Sequence, residues 1–86
     1  MKISVELTLT PLHDDYEPSI IHFIQQLRAS TLKVIENPLS TQVYGDYDEV
    51  MKILTIEIKE AFELIERGLL HMKIVKSDRY NYEPHF

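Results

Sequence analysis

Between Ile3 and Thr10 the chain alternates one apolar residue with one polar residue: Ile3, Val5, Leu7 and Leu9 against Ser4, Glu6, Thr8 and Thr10. A period of two sets the four apolar side chains on one face of an extended strand. Pro11, which has no N–H to give a ladder, predicts its end. Residues 12–15 predict a loop. The period then changes. Ile20, Phe23, Ile24 and Leu27 recur at three- and four-residue steps, with Gln25, Gln26 and Arg28 off that stripe. This predicts a helix with Pro18 in its first turn and the acids Asp14 and Asp15 ahead of it as caps. Residues 31–36 predict a second strand, with Leu32 and Val34 facing the core and Lys33 facing away. Asn37-Pro38-Leu39 predicts a turn, because a residue before proline is pushed towards an extended shape.

Residues 41–44 predict the third strand. Gly45 is one of two glycines in the chain, so it predicts a backbone shape that a side chain would oppose. Asp46 and Glu49 read as an Asp-x-x-Glu capping box. They open a long helix over about residues 46–67 with Val50, Ile53, Leu54, Ile58, Ala61 and Ile65 as its apolar stripe. Gly68 stands where a C-cap glycine belongs. Residues 69–76 predict the last strand, with Leu70, Met72 and Ile74 on one side and His71 and Lys73 on the other. Residues 77–86 show no period and read as a C-terminal tail.

The order strand, helix, strand, strand, helix, strand predicts an α+β, ferredoxin-like βαββαβ fold. It has a four-stranded antiparallel sheet with two helices on one face, over a single domain of residues 1–76. Right-handed crossovers set the strand order 4-1-3-2. In that topology Thr8 and Thr10, at the end of the first strand, lie near Ser40 and Thr41 at the start of the third. Tyr16, Glu36 and His71 fall at the same end of the sheet. The other sheet face carries Ser4, Glu6, Thr8, Lys33 and Lys73 beside Ile35, Tyr44 and Val75. In so small a protein a second subunit on that face or on an edge strand would add burial, so a homo-oligomer, a dimer or a tetramer, is expected.

Composition narrows the chemistry. At 86 residues, 44% hydrophobic and 27% charged, the chain is an ordinary globular sequence. It has no cysteine, which removes disulfides, thiolate metal sites and thiol nucleophiles. Glu6 interrupts the start where a signal peptide needs an apolar run, and no stretch approaches a membrane span. A cytoplasmic setting is therefore expected. The net charge of −5 disfavours nucleic acid and anionic membranes as partners. With so few glycines there is no phosphate-binding loop or dinucleotide fingerprint, and no serine sits in a nucleophile elbow. The four histidines, His13, His22, His71 and His85, lack metal-ligand spacing. No cofactor or metal is called for.

Each remaining candidate has a structural reading beside a functional one. His71 is either a partly exposed histidine at a subunit contact or an acid–base group. Tyr16, Tyr44 and Tyr47 either pack or stack on a flat ligand. The hydroxyls of Ser40 and Thr41 either satisfy the turn or read a polar ligand.

The segment Asn37-Pro38-Leu39-Ser40-Thr41-Gln42-Val43-Tyr44-Gly45-Asp46, together with Leu9-Thr10-Pro11-Leu12, resembles the YkoF-like thiamine-binding family. That family's pattern is Gly-Pro-x-Ser/Asn-Thr, an alternating strand, Gly and an acid. Asn37 stands here in place of the family's glycine. The resemblance spans roughly residues 3–75. It implies a ferredoxin-like fold, homo-oligomers, and binding of thiamine or its hydroxymethylpyrimidine part rather than catalysis. By position it points to Ser40 and Thr41. Thr8, Thr10, Glu36 and Tyr16, on the predicted rim, could add the hydrogen bonds, carboxylate and aromatic face that such a ligand requires. Two other readings compete: an oligomerisation or protein-interaction module without a small ligand, and a ferredoxin-like enzyme using His71 with a rim carboxylate.

Overall fold

The computed structural model describes residues 1–86. The elements are β1 (Lys2–Pro11), α1 (Glu17–Arg28), β2 (Lys33–Glu36), β3 (Thr41–Asp46), α2 (Tyr47–Leu64) and β4 (Gly68–Val75). The sheet is antiparallel throughout, in the order β2-β3-β1-β4. This is the ferredoxin-like arrangement that the alternation and the two helical stripes predict.

β1 is the inner strand between β3 and β4. Its alternation divides the molecule. Ile3, Val5 and Leu7 are almost wholly buried, as are Leu27, Val43, Val50 and Leu54, and with Phe23 and Ala61 they fill the layer between sheet and helices. Each such side chain removed from water contributes about 1.5–3 kcal/mol. Glu6 and Thr8, on the same strand, stay half-buried on the far side. The sheet therefore has one packed face and one open face.

Several local details depart from the sequence pattern, each for a visible reason. The capping box does not form. The Asp46 carboxylate turns instead to Lys2, its partner across the β1–β3 ladder, at 3.4 Å from Nζ. Glu49 accepts from the Thr31 hydroxyl. The Tyr47 amide donates to the Met1 carbonyl at 2.8 Å. Nor do Asp14 and Asp15 cap α1; Tyr16 is its N-cap, without a side-chain bond, and Pro18 sits in the first turn. β2 starts two residues later than the pattern predicts because Ser30 closes α1. Its hydroxyl donates to the Leu27 carbonyl at 2.5 Å and accepts from the Leu32 amide at 3.2 Å.

α2 ends at Leu64 because Ile65 turns extended, φ −118° and ψ 149°, and buries its side chain. Gly68 is therefore not a helix cap but the first residue of β4. Neither glycine has a positive φ. Both answer to close approach. A Cβ on Gly45 would meet Leu32 Cδ2 and Val50 Cγ2 at 3.2 Å each. One on Gly68 would lie 2.5 Å from Ile65 Cδ1 and 3.0 Å from the Thr10 carbonyl oxygen.

The two helices are also tied to each other. His22 Nε2 on α1 lies 2.8 Å from Glu60 Oε1 on α2. Glu57, one turn earlier on α2, has its carboxyl raised above the ordinary range by partial burial and then by the charge of Glu60, with His22 pulling the other way. The folded state thus holds the Glu57 proton more firmly than the unfolded chain does. The stability this gives is complete below the ordinary carboxylate range and is lost as pH rises through the raised value.

Two outcomes are expected. Gly68→Ala lowers stability by about 1–3 kcal/mol, because a backbone oxygen cannot yield as a side-chain tip does, while Gly45→Ala costs less; denaturant midpoints of the two variants compare them. Glu57→Gln, neutral at every pH, melts higher than wild type near pH 7 and loses that advantage near pH 4, as calorimetry at the two pH values measures.

Candidate functional site

The polar side chains gather on the open face. Register sets Ser4, Glu6, Thr8 and Thr10 of β1 beside Gln42 and Tyr44 of β3 and beside Leu69, His71, Lys73 and Val75 of β4. Lys33 and Ile35 of β2 extend the row on the other side of β3. At the centre Gln42 Nε2 donates to Ser40 Oγ at 2.6 Å, and Ser40 Oγ donates to Glu6 Oε2 at 3.0 Å. The other Glu6 oxygen lies 3.6 Å from Lys73 Nζ. Thr8 Oγ1 donates to the Leu39 carbonyl at 3.5 Å. Beside this relay, Glu6, Thr8, His71, Met72 and Lys73 line a shallow groove of about 230 Å³, smaller than the roughly 300–1,000 Å³ usual for a ligand site.

The turn that presents Ser40 is built by Asn37. Its Oδ1 accepts from the amides of Leu39 at 2.9 Å and Ser40 at 3.1 Å, and its own amide donates to the Ser40 carbonyl at 3.1 Å. A side chain thereby supplies the turn closure that a glycine would otherwise give through backbone freedom.

The six residues singled out from sequence divide. Ser40, Thr8 and Thr10 come together on the open face. Thr41, 6% exposed, pairs with Leu7 and faces the helix layer. Glu36 stands opposite Thr41 in the β2–β3 ladder and is gripped by the Arg28 guanidinium, whose Nε donates to it at 3.0 Å and whose second nitrogen also bonds it. Tyr16 is half exposed at the start of α1, and its carbonyl accepts from Ile20. Sequence reasoning passed over Gln42 and placed Glu6 on the open face without counting it among the six. Their signal was available: both lie on the polar register of inner strands, where a charge or amide needs a partner.

The tail makes the other half of this face. Ser4, 7% exposed, donates its hydroxyl to the Ser77 carbonyl at 2.7 Å and accepts from the Arg79 amide at 2.8 Å. Tyr80 then stands edge-on to Tyr44, ring centres 5.4 Å apart, with Lys33 Nζ 4.5 Å from the Tyr80 centroid. Burial first, then the charges of Asp78 and Glu6 and the presence of Tyr80, push the Tyr44 phenol above its ordinary range. The open face thus has a polar end at Glu6 and Ser40 and an aromatic end at Tyr44 and Tyr80.

Fold and site together define a ferredoxin-like domain with a polar, partly aromatic open sheet face. No family model and no curated protein matches the chain. Solved structures do. It is similar to protein SP2199 from Streptococcus pneumoniae, with 25% identity over 91% of this chain and 89% of that one and a TM-score of 0.84. It is also similar to TM0486 from Thermotoga maritima, a protein provisionally named for thiamine biosynthesis or salvage, with 20% identity over 90% and 85% and a TM-score of 0.80. A domain of unknown function, DUF77, from Bacillus cereus aligns at 12% identity over 91% and 78%, with a TM-score of 0.76. These likenesses establish the fold. No helix is long and apolar enough to cross a membrane.

Ser4→Ala is expected to free the tail. The Arg79 amide then exchanges its hydrogen faster, and the Tyr44 phenol titrates closer to its ordinary value because burial and the Asp78 charge both recede. Hydrogen exchange and an NMR titration of the Tyr44 ring read the two effects.

Proposed function

We propose that the protein binds a small heteroaromatic ligand of the thiamine type, thiamine or its hydroxymethylpyrimidine part, on the open face, without catalysing its conversion and without a cofactor. The observation that carries this reading is the Gln42–Ser40–Glu6 relay, half-buried on inner strands and open on one side. An aminopyrimidine alternates donors and acceptors around its ring. A carboxylate that takes its amine and a hydroxyl that can both give and accept are the groups such a ring needs. Thr8 and Thr10 add hydroxyls along β1, and Tyr44 supplies a π-face at the other end of the row.

Thr41 and Glu36 enter this reading as supports. Thr41 anchors the start of β3 in the helix layer, and the Glu36–Arg28 pair fixes the strand opposite it, so the next residue back, Ser40, is held in place. Tyr16 is the outlying member of the set and would act at the rim. Lys73 competes with the ligand for Glu6, so binding must displace its ammonium. The Thermotoga maritima neighbour, by its provisional name, lends the ligand class some support. The resemblance around residues 37–46 lends it more. A cysteine-free chain suits a cytoplasmic place for this work.

An acid–base enzyme on the same face would need His71 to work with a carboxylate. Glu6 is engaged by Ser40 and Lys73 instead.

The test is calorimetry with thiamine and with hydroxymethylpyrimidine. Ser40→Ala, which removes one hydrogen bond to the ligand, is expected to weaken binding about threefold to tenfold. Glu6→Gln weakens it further. Thr41→Val, on the other face, leaves affinity within about twofold and moves stability little, because its hydroxyl makes no hydrogen bond to lose. Wild-type protein that takes up neither compound at millimolar concentration would end this proposal, and so would a Ser40→Ala, Glu6→Gln double variant that binds as tightly as wild type.

A further inference from the structure

The tail does not leave the sheet after Val75; it crosses it. Register places Val75 of β4, Ser4 of β1, Tyr44 of β3 and Lys33 of β2 in one row across the open face. Residues 77–80 follow that row. Ser77 and Arg79 clasp the Ser4 hydroxyl, Tyr80 stands against Tyr44, and Lys33 closes over the Tyr80 ring. The crossing is braced from within. The Tyr80 amide donates to Asp78 Oδ1 at 3.0 Å, and Arg79 Nε donates to Ser77 Oγ at 2.7 Å.

Lys33 is the telling member of the row. Its ammonium lies 4.5 Å from the Tyr80 centroid and belongs to none of the ion pairs of the molecule. A lysine head is strongly hydrated, and an exposed ring holds it only weakly. The field around it is negative. Burial first, and then the charges of Asp78 and Glu6, raise the Tyr44 phenol, and the chain as a whole carries −5. Two aromatic rings, a carboxylate close by and a weakly held cation make a seat for positive charge.

We propose that Tyr80, set against Tyr44 by the strap of residues 77–80, is a specificity-determining residue that seats an organic cation with its charge on a ring or a quaternary nitrogen. The Lys33 ammonium occupies the place this cation takes. Such a cation has no N–H to give to water, so it loses less than an ammonium does on leaving water for a π-face. Lys33 is exposed on a flexible stem and can swing aside. The next row across the sheet holds Lys73, Glu6, Gln42 and Ile35, about 7 Å away along β1. A ligand whose amine meets Glu6 therefore brings a cationic ring, one methylene further on, to Tyr80. This rests on the binding reading above and sharpens it: cationic thiamine is preferred to the neutral hydroxymethylpyrimidine. The preference is made by tail residues that lie outside the resemblance over residues 3–75.

Calorimetry near pH 8 with thiamine, with hydroxymethylpyrimidine and with an N-methylthiazolium salt tests this. Wild type is expected to bind thiamine about fivefold to thirtyfold tighter than the pyrimidine. Tyr80→Leu keeps an apolar side chain on Tyr44 without a π-face. It should erase the preference and leave pyrimidine affinity within about twofold, whereas Tyr80→Phe should keep the preference. Lys33→Met, which clears the seat, should tighten thiamine binding about threefold, and Lys52→Met, the same charge change on α2, should not. Equal affinities in wild type, or a preference that survives Tyr80→Leu, overturn the proposal and leave the ligand reading of the open face standing. If neither thiamine nor the pyrimidine binds, that reading fails and the thiazolium decides alone. Its addition at millimolar concentration must then move the NMR ring signals of both Tyr44 and Tyr80; signals that stay in place overturn the seat as well.

Discussion

The fold depends on one strand having two unlike faces. β1 is hydrogen-bonded on both sides, so every one of its side chains must go either into the helix layer or onto the open face, and the register leaves no third choice. Its apolar half, Ile3, Val5, Leu7 and Leu9, anchors the hydrophobic core. Its polar half supplies Ser4, which holds the tail, Glu6, which holds Ser40 and Lys73, and Thr8, which reaches the Leu39 carbonyl. A slip of one residue would bury Glu6 and expose Leu7. The core and the candidate site are thus two sides of the same constraint.

How much of this was legible in the sequence follows from which interactions are periodic. The alternation in β1 and the stripes Phe23–Leu27 and Val50–Leu54–Ala61 carry their burial in their spacing, and the order and sheet topology follow from them. The helix ends were less legible because capping is a competition. Asp46 is a good cap by type, yet Lys2 and the N-terminal amine lie across the strand from it, and that partner is 44 residues away in sequence. The sequence pattern assigns Gly45 an unusual backbone shape and Gly68 a helix cap, and the structure shows neither. Both answer instead to contact with Leu32, Val50, Ile65 and the Thr10 carbonyl, which no local pattern encodes.

The candidate site shows the same division. Ser40 was legible because its turn has a local signature in Asn37 and Pro38. Thr41 shares the motif but faces the other layer, since adjacent strand residues point to opposite faces. The tail was not legible at all as structure. Its grip on the sheet rests on a Ser4 hydroxyl and on Tyr44, about seventy and thirty-odd residues upstream, and on no periodicity of its own. The open face is therefore assembled from both ends of the chain.

The place of β1 in the sheet has a consequence for how the protein is made. Of the four strands, the one made first is an inner strand that needs neighbours on both sides. β3 arrives some thirty residues later and β4 some sixty, at roughly 5–20 residues per second. For seconds the strand that supplies most of the sheet's buried core has nothing to pair with, and its second neighbour is the last of the four strands to emerge. Closing such long loops before the contacts repay them makes folding slow relative to a helical bundle of this length. A nascent chain of this design leaves β1 unpaired on one side until β4 has emerged, and that strand is the segment a holding chaperone would meet.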